Sequence, residues 1–335
     1  MTTVRPYKAI DMATAKPVTW LLAPGYLAAG KVSLLVGDEG IGKSLWTIRA
    51  IEAITTGEPW GPFTIAGDAA NVALIATEDG WEDTIRPRLD VTDADLSRLV
   101  VLCENPDGTG HPTFPTDMSV LRQLDSPALV VVDAWIDTVE GGVDVKYPQK
   151  ARAAIAPWKA YAADSHASVL LTMHTNRNDR QNLRNTYGLS AALRQVARST
   201  LYAAEDPDTN AMLVGPDKSN LGKPGVAERF ERTSVQLWAS TPDNDGTVGR
   251  LDHIGSDSRT IAEALSEQHE FSKPQRTAEE IDVWVREVLS GVEMKSADFM
   301  ALGEEEGYSP SQLHQSRKRL GVQRRKEGGS WVVWL

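Results

Sequence analysis

The sequence predicts an α/β fold, a mainly parallel sheet flanked by helices, followed by a small separate domain toward the C-terminus. Three observations carry this. Continuous apolar runs alternate with helical stretches over the first two thirds of the chain, which is the pattern of strands buried on both faces. A glycine-rich loop joins the first apolar run to the first helical stretch. After about residue 238 the composition turns to Asp, Gly, Ser and Thr, and a new amphipathic pattern begins near residue 276.

The elements follow in order. KVSLLVG (31–37), NVALIATED (71–79), RLVVLCE (98–104), ALVVVDA (128–134) and SVLLTMH (168–174) read as strands buried on both faces. Helical patterns fall between them at 43–56, 80–89, 116–125 and 147–164. STLYAAED (199–206) and NAMLVGPDK (210–218), hinged at Pro207 and Asp208, extend the sheet as a hairpin. The expected division is a large α/β domain over 1–240, a linker over 241–275 and a small domain over 276–335. In that last part Thr277 and Glu280 form a capping box, Ser309 caps a third helix and Gly321 stops it. VQRRKEGGSWVVWL then reads as two strands around a Gly-Gly turn. Three short helices and a hairpin match a winged helix, with Trp331 and Trp334 expected in its core.

Composition excludes several classes. With 335 residues, 41% hydrophobic and 24% charged, the chain can bury two or three domain cores and is not a disordered one. A net charge of −11 argues against nonspecific coating of nucleic acid but leaves room for a local basic patch. Cys103 is the single cysteine, so no intrachain disulfide forms. With no membrane-length apolar run and no signal-peptide core, the expected location is the cytoplasm.

GDEGIGKS (37–44) satisfies G-x-x-x-x-G-K-[ST] at Gly37, Gly42, Lys43 and Ser44. The loop residues Gly37, Asp38, Glu39, Gly40, Ile41, Gly42, Lys43, Ser44 and Leu45 form the expected nucleotide cradle. Glycines let the backbone curl so that N–H groups face phosphate oxygens, and the following helix N-terminus adds partial positive charge. Lys43 reaches the terminal phosphates and the Ser44 hydroxyl ligates Mg²⁺. Asp133, ending an apolar strand, supplies the second metal anchor. ATP and Mg²⁺ are the expected ligands. Glu78 is the expected base that orients the attacking water, provided its strand neighbours that of the phosphate loop. His174, at another strand end, is the expected sensor of the γ-phosphate.

The set of strand ends GDEGIGKS, TED, VVVD and TMH resembles the RecA-like P-loop ATPases. More narrowly, PVTWLLAPGYLAAGKVSLLVGDEGIGKS and TEDGWEDTIRPRL (77–89) are similar to the RepA-type hexameric helicase ATPases of plasmids and phages, over about residues 16–225. The resemblance implies a hexamer acting on DNA, and a catalytic role for the Glu of the ED pair, Glu78. It places a DNA-facing loop at NTYGLSAALRQVARSTLYAAED (185–206) and trans-acting cations at GPDKSNLGK (215–223), with Arg198 and Lys218 as the candidates. Arg86 is a candidate for stacking on adenine. Arg177, Arg180 and Arg184, in the polar loop after His174, are candidates for lining a channel for single-stranded DNA. Only about 16 residues precede the resemblance, too few for the N-terminal primase-interacting domain of larger bacterial replicative helicases, and the C-terminal module lies outside the minimal RepA-type core.

That module segregates its charge. Arg317, Lys318, Arg319, Arg324, Arg325 and Lys326 lie between His314 and Lys326 with no acid among them, a footprint suited to duplex DNA. The expected function is an ATP-driven DNA motor. An ATP-dependent recombinase or recombination mediator and a nucleotide-switched DNA-binding regulator are the alternatives.

Overall fold

The computed structural model describes residues 5–335 apart from 66, 142, 146, 176–192, 194–196, 223–224, 273–276 and 309. The chain divides into two compact units, Met1–Ser266 and Glu267–Leu335.

The first unit is built on a nine-stranded sheet. Its strands are β1 (Val32–Gly37), β2 (Val72–Ala76), β3 (Leu99–Val101), β4 (Leu129–Asp133), β5 (Ser168–His174), β6 (Ser199–Glu205), β7 (Met212–Ser219), β8 (Glu228–Gln236) and β9 (Thr247–Ser256). Their order is β3-β2-β4-β5-β1-β6-β7-β8-β9. The strands from β3 to β6 pair parallel, and β6 to β9 form an antiparallel meander. Helices α1 (Lys43–Thr56), α2 (Arg86–Asp90), α3 (Met118–Leu121) and α4 (Pro148–Ser165) connect the parallel strands, and a π-helical turn, Trp81–Ile85, leads into α2. This is a RecA-like α/β core.

The two faces follow from the two-residue period of a strand. Val32, Leu34 and Val36 of β1 pack with Trp135, Trp158 and Tyr161 on one face. Leu35 packs with Trp46, Ile51 and Ile54 of α1 on the other. With both faces covered, all six residues of β1 are buried, so the strand reads as one apolar run.

Three expectations are corrected. The segment 241–275 is not a linker throughout, because it carries β9 and helix α5 (Ile261–Ser272). β9 is an edge strand whose buried residues, Val248 and Leu251, are separated by polar ones, so it lacks a continuous apolar run. Ile261 and Ala264 of α5 join the main core. The run 98–104 yields only a short edge strand, with Val100 at 43% exposure, rather than one buried on both faces. Finally, β1 and β2 are not neighbours, since β4 and β5 lie between them.

The second unit contains α6 (Ala278–Leu289), β10 (Met294–Lys295), α7 (Ser296–Glu305), α8 (Pro310–Leu320), β11 (Gln323–Glu327) and β12 (Ser330–Trp334). Its sheet order is β10-β12-β11. That succession is compatible with a winged helix. Thr277 and Glu280 form the capping box, and Gly321 ends α8 at φ 69. Ser309 lies outside the described residues. Ile281, Val285, Leu289, Phe299, Leu313 and Val333 make the core. Gly328 and Gly329, at φ 55 and 87, form the two-residue turn of the hairpin. The tryptophans depart from expectation. Trp331 is 48% exposed and Trp334 half-buried, while Val333 between them fills the core position. The core of so short a unit ends at the middle of the hairpin, so the residues toward its tip project past it.

Candidate functional site

The site sits at the C-terminal ends of β1, β2, β4 and β5. β1 ends at Gly37, whose Cβ, were there one, would meet the Ala203 carbonyl oxygen at 2.7 Å. Gly42, at φ 108, immediately precedes α1. A side chain there would be strained and would crowd the Met212 sulfur. The loop therefore needs glycine at both ends, and the first-turn amides of α1 lack acceptors within the helix.

Lys43 is 5% exposed. Its ammonium donates to the carbonyl oxygens of Gly37 (3.0 Å) and Asp38 (2.8 Å) and to His174 Nδ1 (3.2 Å). Since an ammonium only donates, Nδ1 is the acceptor and the imidazole carries its proton on Nε2. Nε2–H donates in turn to Glu78 Oε1 (2.8 Å) and Oε2 (3.1 Å). Burial pulls the Lys43 pKa below its usual value, opposed by the charges of Asp133, Glu78, Asp38 and Glu39. The geometry thus links the phosphate-loop cation to the expected base through one imidazole. Glu78 reaches the site across two intervening strands because His174 bridges to it.

Asp133 ends β4 and accepts a short hydrogen bond from Thr172 Oγ1 of β5. Ser44, Thr47, Glu78, Asp79, Arg88 and Asp133 line one cleft. The donor set fits a nucleotide-bound Mg²⁺: one hydroxyl, Ser44, and one carboxylate, Asp133, line the same cleft. Among the described residues, no group of three or more His, Cys, Asp or Glu side chains forms a self-sufficient metal site. Two protein ligands suit an ion that completes its shell with phosphate and water oxygens.

The structure brings together Lys43, Ser44, Glu78, Asp133 and His174. It places the other candidates elsewhere. Arg86 is bound to Asp90 at 2.7 Å on the exposed side of α2, whereas Arg88 of the same helix enters the cleft and holds Asp79 at 2.6 Å. Arg198 is exposed beside the start of β6, where its backbone N–H donates to the Val32 carbonyl oxygen at 3.2 Å. Lys218 pairs in register with Thr200, at the same end of the sheet, and its side chain lies outside the described part. Arg198 is level with the start of β1 and Lys218 with Leu34, so neither lies at the strand end that carries the phosphate loop. Arg177, Arg180 and Arg184 lie outside the described residues.

Two contributors escaped the sequence reading. Thr175 donates to Asp38 Oδ1 through its hydroxyl and to the Gly37 carbonyl oxygen through its N–H, tying the end of β5 to the loop. Thr77 receives a hydrogen bond from the Ala134 N–H at 3.0 Å and donates to Asp137 Oδ2 at 2.8 Å, joining the ends of β2 and β4. A threonine directly following or preceding a strand-end carboxylate or histidine is the available signal.

In the second unit the six basic residues divide. Arg319 is held by Asp282 at 2.7 Å, which raises its pKa, and Arg325 by Glu293 at 2.5 Å and Glu327 at 3.1 Å. Arg317 lies over the Phe299 ring and donates to Ser296 Oγ. The uninterrupted basic run therefore overstates the free charge, because the acids that pair with it lie far away in sequence.

The comparisons with known proteins agree with the geometry. A family profile described as AAA domain (AAA_25) matches residues 6–180, more than half of the chain. The chain belongs to this AAA domain family. The motif reading of a RecA-like P-loop ATPase stands with it. Among solved structures, this AAA protein is similar to the ATPase domain of G40P, with a TM-score of 0.46, 13% identity, and coverage of 65% of this chain and 84% of that one. It is also similar to the KaiC-like protein PH0186 from Pyrococcus horikoshii OT3, with a TM-score of 0.44, 14% identity, and coverage of 68% and 93%. No curated protein matches it. Among the described residues, no helix is long and apolar enough to cross a membrane.

Proposed function

We propose that this AAA protein is an Mg²⁺-dependent, ATP-hydrolysing DNA motor, a RepA-type oligomeric helicase or replication ATPase acting on single-stranded DNA. The observation that carries the reading is the Lys43–His174–Glu78 hydrogen-bond chain beside Ser44 and Asp133. Ser44, Asp133 and Glu78 share one cleft, and the chain joins Lys43 to it, which supports their reading as two metal ligands, a carboxylate base and a phosphate-binding cation for phosphoryl transfer to water.

The residues divide the work. The first-turn amides of α1 and the Lys43 ammonium bind the triphosphate. Ser44 and Asp133 hold Mg²⁺, which when bound neutralises charge on the phosphate oxygens. Glu78 orients the attacking water and takes up its proton. For Lys43 to grip a phosphate oxygen it gives up one of its three acceptors, and His174 Nδ1, at 3.2 Å, is the longest of those bonds. Release of Nδ1 lets the imidazole turn and frees Glu78. His174 and Thr175 directly precede the segment 176–192, which contains the candidate channel arginines Arg177, Arg180 and Arg184. The γ-phosphate and the DNA-facing loop are thereby coupled through one strand end.

Arg198, level with Val32, and Lys218, level with Leu34, both lie away from the end of β1 that carries their own phosphate loop. This supports a trans role, each stabilising transition-state charge at the site of a neighbouring copy. A hexameric ring satisfies that requirement, and the second unit is the additional DNA contact.

The test is ATP turnover with and without single-stranded DNA, followed by strand displacement on a forked substrate. DNA-stimulated hydrolysis and displacement are expected. Turnover indifferent to DNA would overturn the motor reading and favour a nucleotide-switched regulator.

A further inference from the structure

The geometry points to a binding seat for an unpaired nucleic-acid strand on the hairpin of the second unit, made by Trp331 with Arg324 and Lys326. The inference deepens the DNA-motor reading and rests on it.

The register of β11 against β12 sets Arg324 opposite Val333 and Lys326 opposite Trp331. These four residues share one face of the hairpin. Val333 is buried at the inner end of that face, and Trp331 stands 48% exposed toward the turn. The Arg324 guanidinium lies 5.1 Å from the Trp331 ring centroid, fixing the indole in place while leaving much of it open to solvent. Arg317, from the last turn of α8, is instead engaged by the Phe299 ring and by Ser296 Oγ. Arg324 and Lys326 thus put two cations on the face that carries the indole. Among the described residues, no carboxylate forms an ion pair with Arg317, Arg324 or Lys326.

The cations and the ring together define the occupant. A phosphate pairs with Arg324 and Lys326, and a flat unpaired base covers the exposed indole, the combination by which proteins hold single strands. A duplex offers the phosphates without the free base face. Arg319 and Arg325, two of the cations expected to meet a duplex backbone, are instead held by Asp282, Glu293 and Glu327, which leaves Lys318 as the exposed cation of α8 outside those pairs. The seat therefore selects an unpaired strand or a strand end over an intact duplex.

The experiment is photocrosslinking of the full chain to an oligothymidylate carrying 5-iodouracil, with peptide mapping, beside the same label in a blunt duplex. Trypsin releases Trp331 in the fragment that follows Lys326. Crosslinks to that fragment are expected from the single strand and at least about fivefold fewer from the duplex. Arg324→Gln is expected to cut the single-strand crosslink and to lower the salt dependence of oligothymidylate binding by about one counterion. Trp331→Ala should weaken oligothymidylate binding about tenfold, and Trp331→Phe should restore most of the loss. Crosslinks confined to the first 266 residues, equal yields from duplex and single strand, or binding within about twofold of wild type in Trp331→Ala would each overturn the seat. The motor reading fails separately, through the absence of DNA-stimulated ATPase in the wild-type chain.

Discussion

At the scale of single residues, the site is a set of donors and acceptors whose roles are separable by substitution. Lys43 already spends all three of its N–H groups on protein acceptors. Lys43→Ala is expected to remove ATP binding, and calorimetry with Mg·ATP showing unchanged affinity would refute the cradle. Glu78→Gln keeps the side-chain shape but cannot accept a proton. It should bind ATP with near-normal affinity and hydrolyse it roughly 10²–10⁴-fold more slowly, which single-turnover assays resolve. His174→Ala removes the bridge between Lys43 and Glu78 and should uncouple hydrolysis from DNA. ATPase activity that still rises to the wild-type extent on adding single-stranded DNA would exclude His174 as the link.

At the scale of elements, the antiparallel meander is clamped to the rest of its unit by a buried ion network. Asp257 and Asp206 both contact Arg229 at 3.1 Å, and Arg259 holds Asp257 at 2.9 Å. The Arg259 hydrogen bond, followed by contributions from its backbone and from Arg229, holds the Asp257 carboxyl far below the usual carboxylate range. A carboxylate whose pKa is depressed on folding stabilises the fold above its unfolded pKa, about 3.9, and that contribution fades as pH falls toward the folded value. Asp257→Asn should therefore lower stability at pH 7 by on the order of 2 kcal/mol. The difference from wild type should shrink as pH falls below about 4. Thermal melts across that range measure it, and a gap that stays constant with pH would mean the carboxylate charge is not what the network uses. The same paired arrangement explains why the sequence reading missed β8 and β9. They pair chiefly with each other at the edge of the sheet, and half of each strand faces solvent, so no local apolar run marks them.

At the scale of the whole molecule, the proposed function assigns ATP hydrolysis to the first unit and a DNA contact to the second. Removal of residues 277–335 leaves Ile261 and Ala264 of α5 in the main core. The shortened chain should keep basal ATP turnover while losing affinity for DNA, as read by fluorescence anisotropy. DNA affinity equal to that of the full chain would remove the second unit from the DNA-binding account. Assembly belongs to this scale as well. If Arg198 and Lys218 act on the nucleotide of a neighbouring copy, as proposed, ATPase activity should rise more steeply than protein concentration below the assembly threshold. Negative-stain images with ATP and single-stranded DNA should show closed rings.

What the sequence determined by itself was the parallel half of the sheet and the phosphate loop. Strands buried on both faces need continuous apolar residues, and a loop that wraps phosphate needs glycine, lysine and serine at fixed offsets. Both constraints act between residues close in the chain. Tertiary structure alone decided that Glu78 reaches Lys43 through His174 although β4 and β5 separate β2 from β1. It also decided which cations of the basic run are free, since Asp282 and Glu293 neutralise Arg319 and Arg325 from other elements. Electrostatic and hydrogen-bond partners are chosen by distance in space, and a linear pattern records that distance only where the chain itself brings the partners together.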